Sequence, residues 1–271
     1  MVIKFQGKRF FRATSCGVAI QKTHSKAVIH AILELVERDA ALLAWFGNKN
    51  IPLIDITKIK NKKLLKLIKN IEFENRGIKT FLITTDIKIP TVFTIVFDRN
   101  DHYPLATFGL AAGINLEKTI IKSIEEALMI LNTVELFGNS ERKIEKKDIK
   151  NLIDHILFYS LPENKFVLKR FLNYNKYISI ETIHKQYNFI KIVSAKDLIN
   201  YLIKKKIELI AFDFSDPFLS KNDLYMTRII APNLCPMFVG GIVPSVIARL
   251  IKKRLKMPLS RKLNINPHPF G

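Results

Sequence analysis

Apolar positions recur at helical spacing through THSKAVIHAILELVERDAALLAWF, which starts at Thr23. They put Val28, Ile29, Ile32, Leu33, Val36, Ala40 and Leu43 on one side of a helix that Gly47, Asn48 and Asn50 end. Residues 1–22 instead carry β-branched and aromatic side chains around a Ser-Cys-Gly turn and read as extended. LLKLIKNIEFENRG is a short second helix, and IKTFLITTDI and TVFTIVFDRN are strands separated by a proline-containing link. YPLATFGLAAGIN is a strand entering a glycine-punctuated turn, and LEKTIIKSIEEALMILNTVELF is a long amphipathic helix. Further on, LIDHILFYS is helical up to Pro162, AKDLINYLIKKKIELIAFDFSD is helix then strand, and LYMTRIIAPNL is another strand. The end of the chain is a helix followed by a proline-interrupted tail over residues 264–271. Mixed elements without a strict βαβ alternation predict an α+β fold, or an α/β core with an antiparallel sheet. The Lys- and Glu-rich stretch 142–150 is the candidate linker, and it is too short to divide the chain, so one domain over 1–271 is expected.

Composition narrows the setting. With 271 residues and 48% hydrophobic content, the chain can bury a sizeable core. Cys16 and Cys235 are the only cysteines, too few for a disulfide framework or a structural zinc site, so a reducing cytoplasm is expected. The N-terminal MVIKFQGKRFFRATSCG has no apolar h-region, and no apolar run reaches the ~18 residues that span a bilayer. No membrane association is expected. The formal charge is +20, from 44 Lys and Arg against 24 Asp and Glu, which attracts polyanions or acidic peptides at low salt. Most lysines sit between helical apolar positions and read as solvated faces. No helix-turn-helix, zinc spacing or aromatic-glycine interleaving points to nucleic acid, which is the weakest of the partner classes. GxxxxGK[ST] and GxGxxG phosphate loops are absent.

The candidate chemistry lies in HAILELVERDA. At about 100 degrees per residue, His30, Glu34 and Glu37 share one narrow stripe at i, i+4, i+7, with Arg38 beside them. Hard divalent cations take carboxylate oxygens, and an Arg fork suits phosphate, so the set is apt for a Mg-nucleotide. The same spacing also makes an ordinary surface ion pair between Glu34 and Arg38, worth at most about half a kcal/mol, and spacing alone favours that. Asp39 tilts the balance a little, because it falls inside the apolar arc, where a carboxylate is either buried and satisfied by partners or signals a helix enclosed on both sides. His155 reads as a satisfied structural histidine, Cys16 as an inert small side chain, and Glu125 and Glu126 as dipole-compatible residues near a helix start.

Taken together, five segments resemble the YcaO-domain family in order along nearly the whole chain. They are TSCGVAIQKTHSKAVIHAILELVERDA, FGLAAGINLEKTIIKSIEEALMIL, DHILFYSLPE, AFDFSDPFLSKNDLYMTRIIAPNLCPM and the closing NPHPFG. The resemblance implies a YcaO-like mixed sheet with packed helices, shortened at the N-terminus. It implies ATP and Mg²⁺ as cofactors and activation of peptide-backbone amides, with cyclodehydration of Cys, Ser or Thr to azolines. It assigns Glu34 and Glu37 to the metal. Arg38, Glu34, Glu37, Ser15 and His30 fall to the nucleotide, and Pro267, Pro269 and Gly271 to a catalytic tail. Implied partners are a precursor peptide, a leader-peptide-recognising protein, and a second YcaO chain or a homodimer. Departures from the family pattern are Cys16 for Asn, Gln21 for Gly, Met129 for Gln and Gly271 for Pro, together with a Ser-x-x-x-Glu-x-x-Glu-Arg helix that is not found. A non-catalytic YcaO scaffold, a thioamide-forming enzyme and a basic nucleic-acid-binding protein are the alternatives.

Overall fold

Strand β1 (Val18–Gln21) leads into helix α1 (His24–Phe46), and Thr23 caps the helix by accepting the Lys26 N–H at 3.2 Å. The computed structural model describes residues 15–47, 51–59, 61–138, 141 and 143–270. Gly47 closes α1 by donating its N–H to Leu43 O; Asn48 and Asn50 lie outside the described residues.

A mixed sheet follows, built from β2 (Leu53–Ile54), β3 (Arg76–Leu82), β4 (Thr91–Asp98), β5 (Ala106–Ala112) and β6 (Tyr177–Ile178). Its order is β5-β4-β3-β2-β6, antiparallel except for the parallel β2–β6 pair. Both faces are covered, which explains why TVFTIVFD is buried almost throughout and carries apolar residues on both faces. Phe81, Phe93 and Phe108 point to one side, where they meet the C-terminal half of α1, α4 (Leu152–Ser160), α5 (Lys165–Leu172) and the chain's tail. Leu82, Val92 and Val96 point to the other, against α2 (Lys62–Phe73), α3 (Leu116–Phe137) and α6 (Ile180–Tyr187). The β5–α3 approach is close: a Cβ on Gly109 would lie 1.9 Å from the Ser123 carbonyl oxygen.

After α7 (Ala195–Lys204), β7 (Ile210–Asp213), α8 (Pro217–Lys221) and β8 (Tyr225–Ile230) complete a second, antiparallel sheet of order β1-β8-β7. The α1 helix packs on both sheets and is enclosed, and Asp39 is also satisfied by partners, so both readings of that carboxylate hold. That carboxylate is fully buried. It accepts the Cys235 N–H at 2.9 Å and is gripped by Arg254 of α9 (Ser245–Arg254), whose Nη2 lies 2.7 Å away.

Two expectations are corrected. The 142–150 stretch is no linker: Ile144 and Ile149 are buried in the main core, and Lys146–Asp148 forms a 3₁₀ turn, because two apolar anchors outweigh the surrounding charge (Arg142 lies outside the described residues). The helical run also resumes beyond Pro162 as α5, since proline fits a helical first turn. Among the described residues no helix is long and apolar enough to cross a membrane.

Candidate active site

Gly17 turns the chain into β1 with φ +77°, and a Cβ there would meet Ile229 O at 2.2 Å. The turn aims the Gly17 N–H at Glu34, 3.0 Å from Oε2. One helical turn on, Glu37 Oε2 accepts the Ala112 N–H at 3.0 Å, and Glu126 of α3 accepts the Leu110 N–H at 2.7 Å. Strand β5 is the edge of its sheet, so these two carboxylates satisfy amides that have no strand partner. Each of the three glutamates thus commits one oxygen to a backbone amide. The second oxygen of Glu34 and of Glu126 has no partner among the described residues.

All three border one cavity of about 550 Å³ between α1, the end of β5 and the first half of α3. His30, Lys118 and Lys122 also line it, so carboxylates and ammonium groups share the wall. Burial pushes the Glu37 carboxyl up to about 7; Arg38 opposes the rise, while the charges of Glu126 and Glu34 add to it. Burial also raises Glu34 and Glu126. His30 sits at the rim with its Nδ1 3.2 Å from Gln21 Nε2, and burial and then Lys122 lower its pKa.

Arg38 lies behind this wall. Its Nε is 3.8 Å from Glu37 Oε1, yet it lines a neighbouring cavity of about 360 Å³ with Cys16, Arg228 and Cys235. Ser15 lines neither cavity and is exposed, contributing its carbonyl to the Val18 N–H. Burial, followed by the Asp39 charge, drives the Cys235 thiol far above its usual range, which leaves it unreactive.

The tail is part of the core. Pro267, His268, Pro269 and Phe270 are buried, and Gly271 lies outside the described residues. The Tyr159 hydroxyl donates to Pro267 O, and the His155 and His268 rings stack at 4.1 Å. Because His155 Nε2 accepts the Gly240 N–H, its Nδ1 carries the proton and donates to His268 O. His268 Nε2 donates to Phe238 O, and burial, with His155 and then Arg38 nearby, pushes its pKa down to about 3. His155 is therefore a satisfied structural residue.

Of the expected site residues, the structure gathers His30, Glu34 and Glu37 around one cavity, sets Arg38 at its back and buries Pro267 and Pro269, which line neither cavity. Sequence reasoning passed over Glu126, Lys118 and Lys122. Glu126 is not near a helix start, because α3 begins at Leu116. A usable signal existed: Thr119, Ser123 and Glu126 repeat the i, i+4, i+7 spacing of His30, Glu34 and Glu37 on an otherwise apolar face.

The model of the YcaO cyclodehydratase family, described as ATP- and Mg²⁺-binding, matches residues 2–235. The chain belongs to the YcaO family. The fold agrees with solved YcaO structures. A heterocyclase in complex with substrate and cofactor superposes with a TM-score of 0.70 at 18% identity, covering 97% of this chain and 34% of that one. The heterocyclase TruD gives 0.69 at 19% identity over 99% and 36%. YcaO from Methanopyrus kandleri, bound with AMPPCP and Mg²⁺, gives 0.62 at 14% identity over 85% and 57%. This YcaO chain thus spans about a third of the length of the two heterocyclases. No curated protein matches it.

The site suits the family's cofactors. Among the described residues no three donors lie close enough to hold a cation by themselves. That is compatible with Mg²⁺, which takes one or two carboxylates and completes its shell with phosphate oxygens and water. Partly buried carboxylates with uncommitted oxygens favour a cation, and Lys118 and Lys122 offer charge to phosphates.

Proposed function

We propose that this YcaO domain activates peptide-backbone amides with ATP and Mg²⁺, forming azolines from Cys, Ser or Thr during maturation of a ribosomal, bacteriocin-like peptide. The reading rests on one observation above others: Glu34, Glu37 and Glu126, each steered by a backbone amide, border a single cavity with Lys118 and Lys122. The net change is loss of water between a side-chain nucleophile and the preceding carbonyl, coupled to ATP hydrolysis. When bound, Mg-ATP supplies the phosphoryl group that makes the former carbonyl oxygen a leaving group. Glu34 and Glu37 would hold the metal, and Glu126 would act on it through the water that completes its shell. His30, Lys118 and Lys122 face the phosphates, and Arg38 holds Glu37 in place from behind. Ser15 acts through the turn that presents the Gly17 N–H. Pro267, Pro269 and Gly271 supply the catalytic tail. One domain over 1–271 carries this chemistry in the cytoplasm, with a leader-recognising partner, and a second YcaO chain completing the nucleotide contacts.

Calorimetry of ATP and Mg²⁺ binding tests the reading, on this chain alone and with a second YcaO chain. Glu34→Gln and Glu126→Gln should each weaken binding by about ten-fold or more, the worth of one lost charge-assisted contact. Unchanged affinity in both variants would refute the site. No binding in either setting would leave a non-catalytic scaffold that binds a peptide or partner.

A further inference from the structure

From Leu224 to Phe270 the chain carries eight Lys and Arg and no Asp or Glu. Two of these cations serve the fold: Arg254 grips Asp39, and Lys252 Nζ donates to Leu259 O. Arg249, Lys253, Lys256, Arg261 and Lys262 are exposed and form no ion pair among the described residues. On α9, Val246, Arg249 and Lys253 fall at i, i+3, i+7 on the outward stripe. The Lys252–Leu259 bond and the Met257 N–H to Lys252 O bond fold the following loop back against the helix. Unpaired cations and uncovered aliphatic groups therefore lie together, with Ile242 83%, Val246 71% and Leu259 72% exposed.

The difference from other basic faces is the absence of acidic neighbours: α2 also exposes Lys62, Lys66 and Lys69, but there Lys63 is paired with Glu125 at 2.5 Å and Glu72 lies on the same helix. Here like charges are left adjacent and apolar groups are left wet, which points to a ligand that supplies carboxylates and apolar side chains together. Nucleic acid would leave the aliphatic groups unused. A bilayer would need a broader apolar face than one valine on a ten-residue helix.

We propose that the outer surface of α9 and the 255–262 loop docks an acidic, apolar-containing segment of the peptide that this YcaO protein acts on. The proposal rests on the peptide-substrate reading and adds where that peptide is held. Position supports it. From Leu263 the chain runs directly into the buried tail, and Arg254 joins the inner side of α9 to Asp39, the neighbour of Arg38 in sequence. A peptide lying on this surface would be led toward the site along the tail.

The test is fluorescence anisotropy with the full chain and a labelled synthetic peptide alternating Glu with Leu and Ile, without ATP. The comparison variant carries Arg249→Glu, Lys253→Glu and Lys256→Glu. The control, Lys62→Glu, Lys66→Glu and Lys69→Glu on α2, makes the same change in net charge. We expect the α9 variant to lose at least about ten-fold in affinity and the control less than about three-fold. Replacing Leu259 with Ser should weaken binding further, and the Glu-to-Gln peptide should bind poorly. Equal losses in both triple variants would overturn the proposal in favour of unspecific charge attraction. Tighter α9-dependent binding to phosphatidylserine vesicles or to an oligonucleotide would overturn it in favour of those partners. ATP binding by the same α9 variant is measured separately, so failure of the docking surface and failure of the nucleotide site are read independently.

Discussion

Replacing Arg254 with methionine removes a guanidinium from a carboxylate that has no solvent exposure, while keeping similar volume. Asp39 now holds Arg254 Nη2 at 2.7 Å, Arg254 Nε at 3.3 Å and the Cys235 N–H at 2.9 Å. In the variant only the Cys235 amide remains. Breaking a buried pair from one side costs about 3–5 kcal/mol, most of it the desolvated charge left behind. The same guanidinium also reaches Asp86 at 3.0 Å, but that carboxylate is 57% exposed, so Asp86→Asn should cost at most about 1 kcal/mol. Adding Asp39→Asn to Arg254→Met removes the orphaned charge and should recover part of the loss, giving a coupling of about 1–3 kcal/mol. Urea unfolding is convenient here because Trp45 is the single tryptophan and is 1% exposed, so its fluorescence reports the core. A loss for Arg254→Met no larger than that for Asp86→Asn, both at pH 7, would refute the reasoning.

Two further outcomes follow from the site and the tail. Glu37 binds its proton more tightly when folded, at about 7 against an ordinary 4.5, so its contribution is full below about pH 4.5 and is lost as pH rises through 7. In Mg²⁺-free buffer Glu37→Gln should therefore flatten a decline of about 3 kcal/mol across that window; a curve parallel to that of the parent protein would contradict the assignment. Phe270→Ala empties a site that is 3% exposed and ringed by Phe93, Trp45 and His268, and should cost about 3–5 kcal/mol in thermal unfolding. An unchanged midpoint would mean that the tail does not belong to the core.

The legible part of this protein was local. The α1 helix with its start near Thr23, the β3 and β4 strands and the long α3 helix all follow from period and punctuation within a few residues. The two-residue strands β2 and β6 and the short α6 and α8 helices were missed, because segments of that length carry too little period to stand out. The 142–150 segment misled for a related reason. Its charge is conspicuous in sequence, whereas the burial of Ile144 and Ile149 depends on partners far along the chain.

The candidate site divides the same way. Sequence by itself determined that His30, Glu34 and Glu37 share a stripe and that Asp39 sits in the apolar arc, since helical geometry sets both. Only the tertiary structure decided which way that stripe faces. It faces a cavity because α3 and the edge of β5 close over it, bringing Glu126, Lys118 and Lys122 to the same wall and turning Arg38 to the back. Spacing along one helix fixes angles about its axis, but burial, pKa and cation affinity depend on what packs against each face, and that is a property of the whole fold.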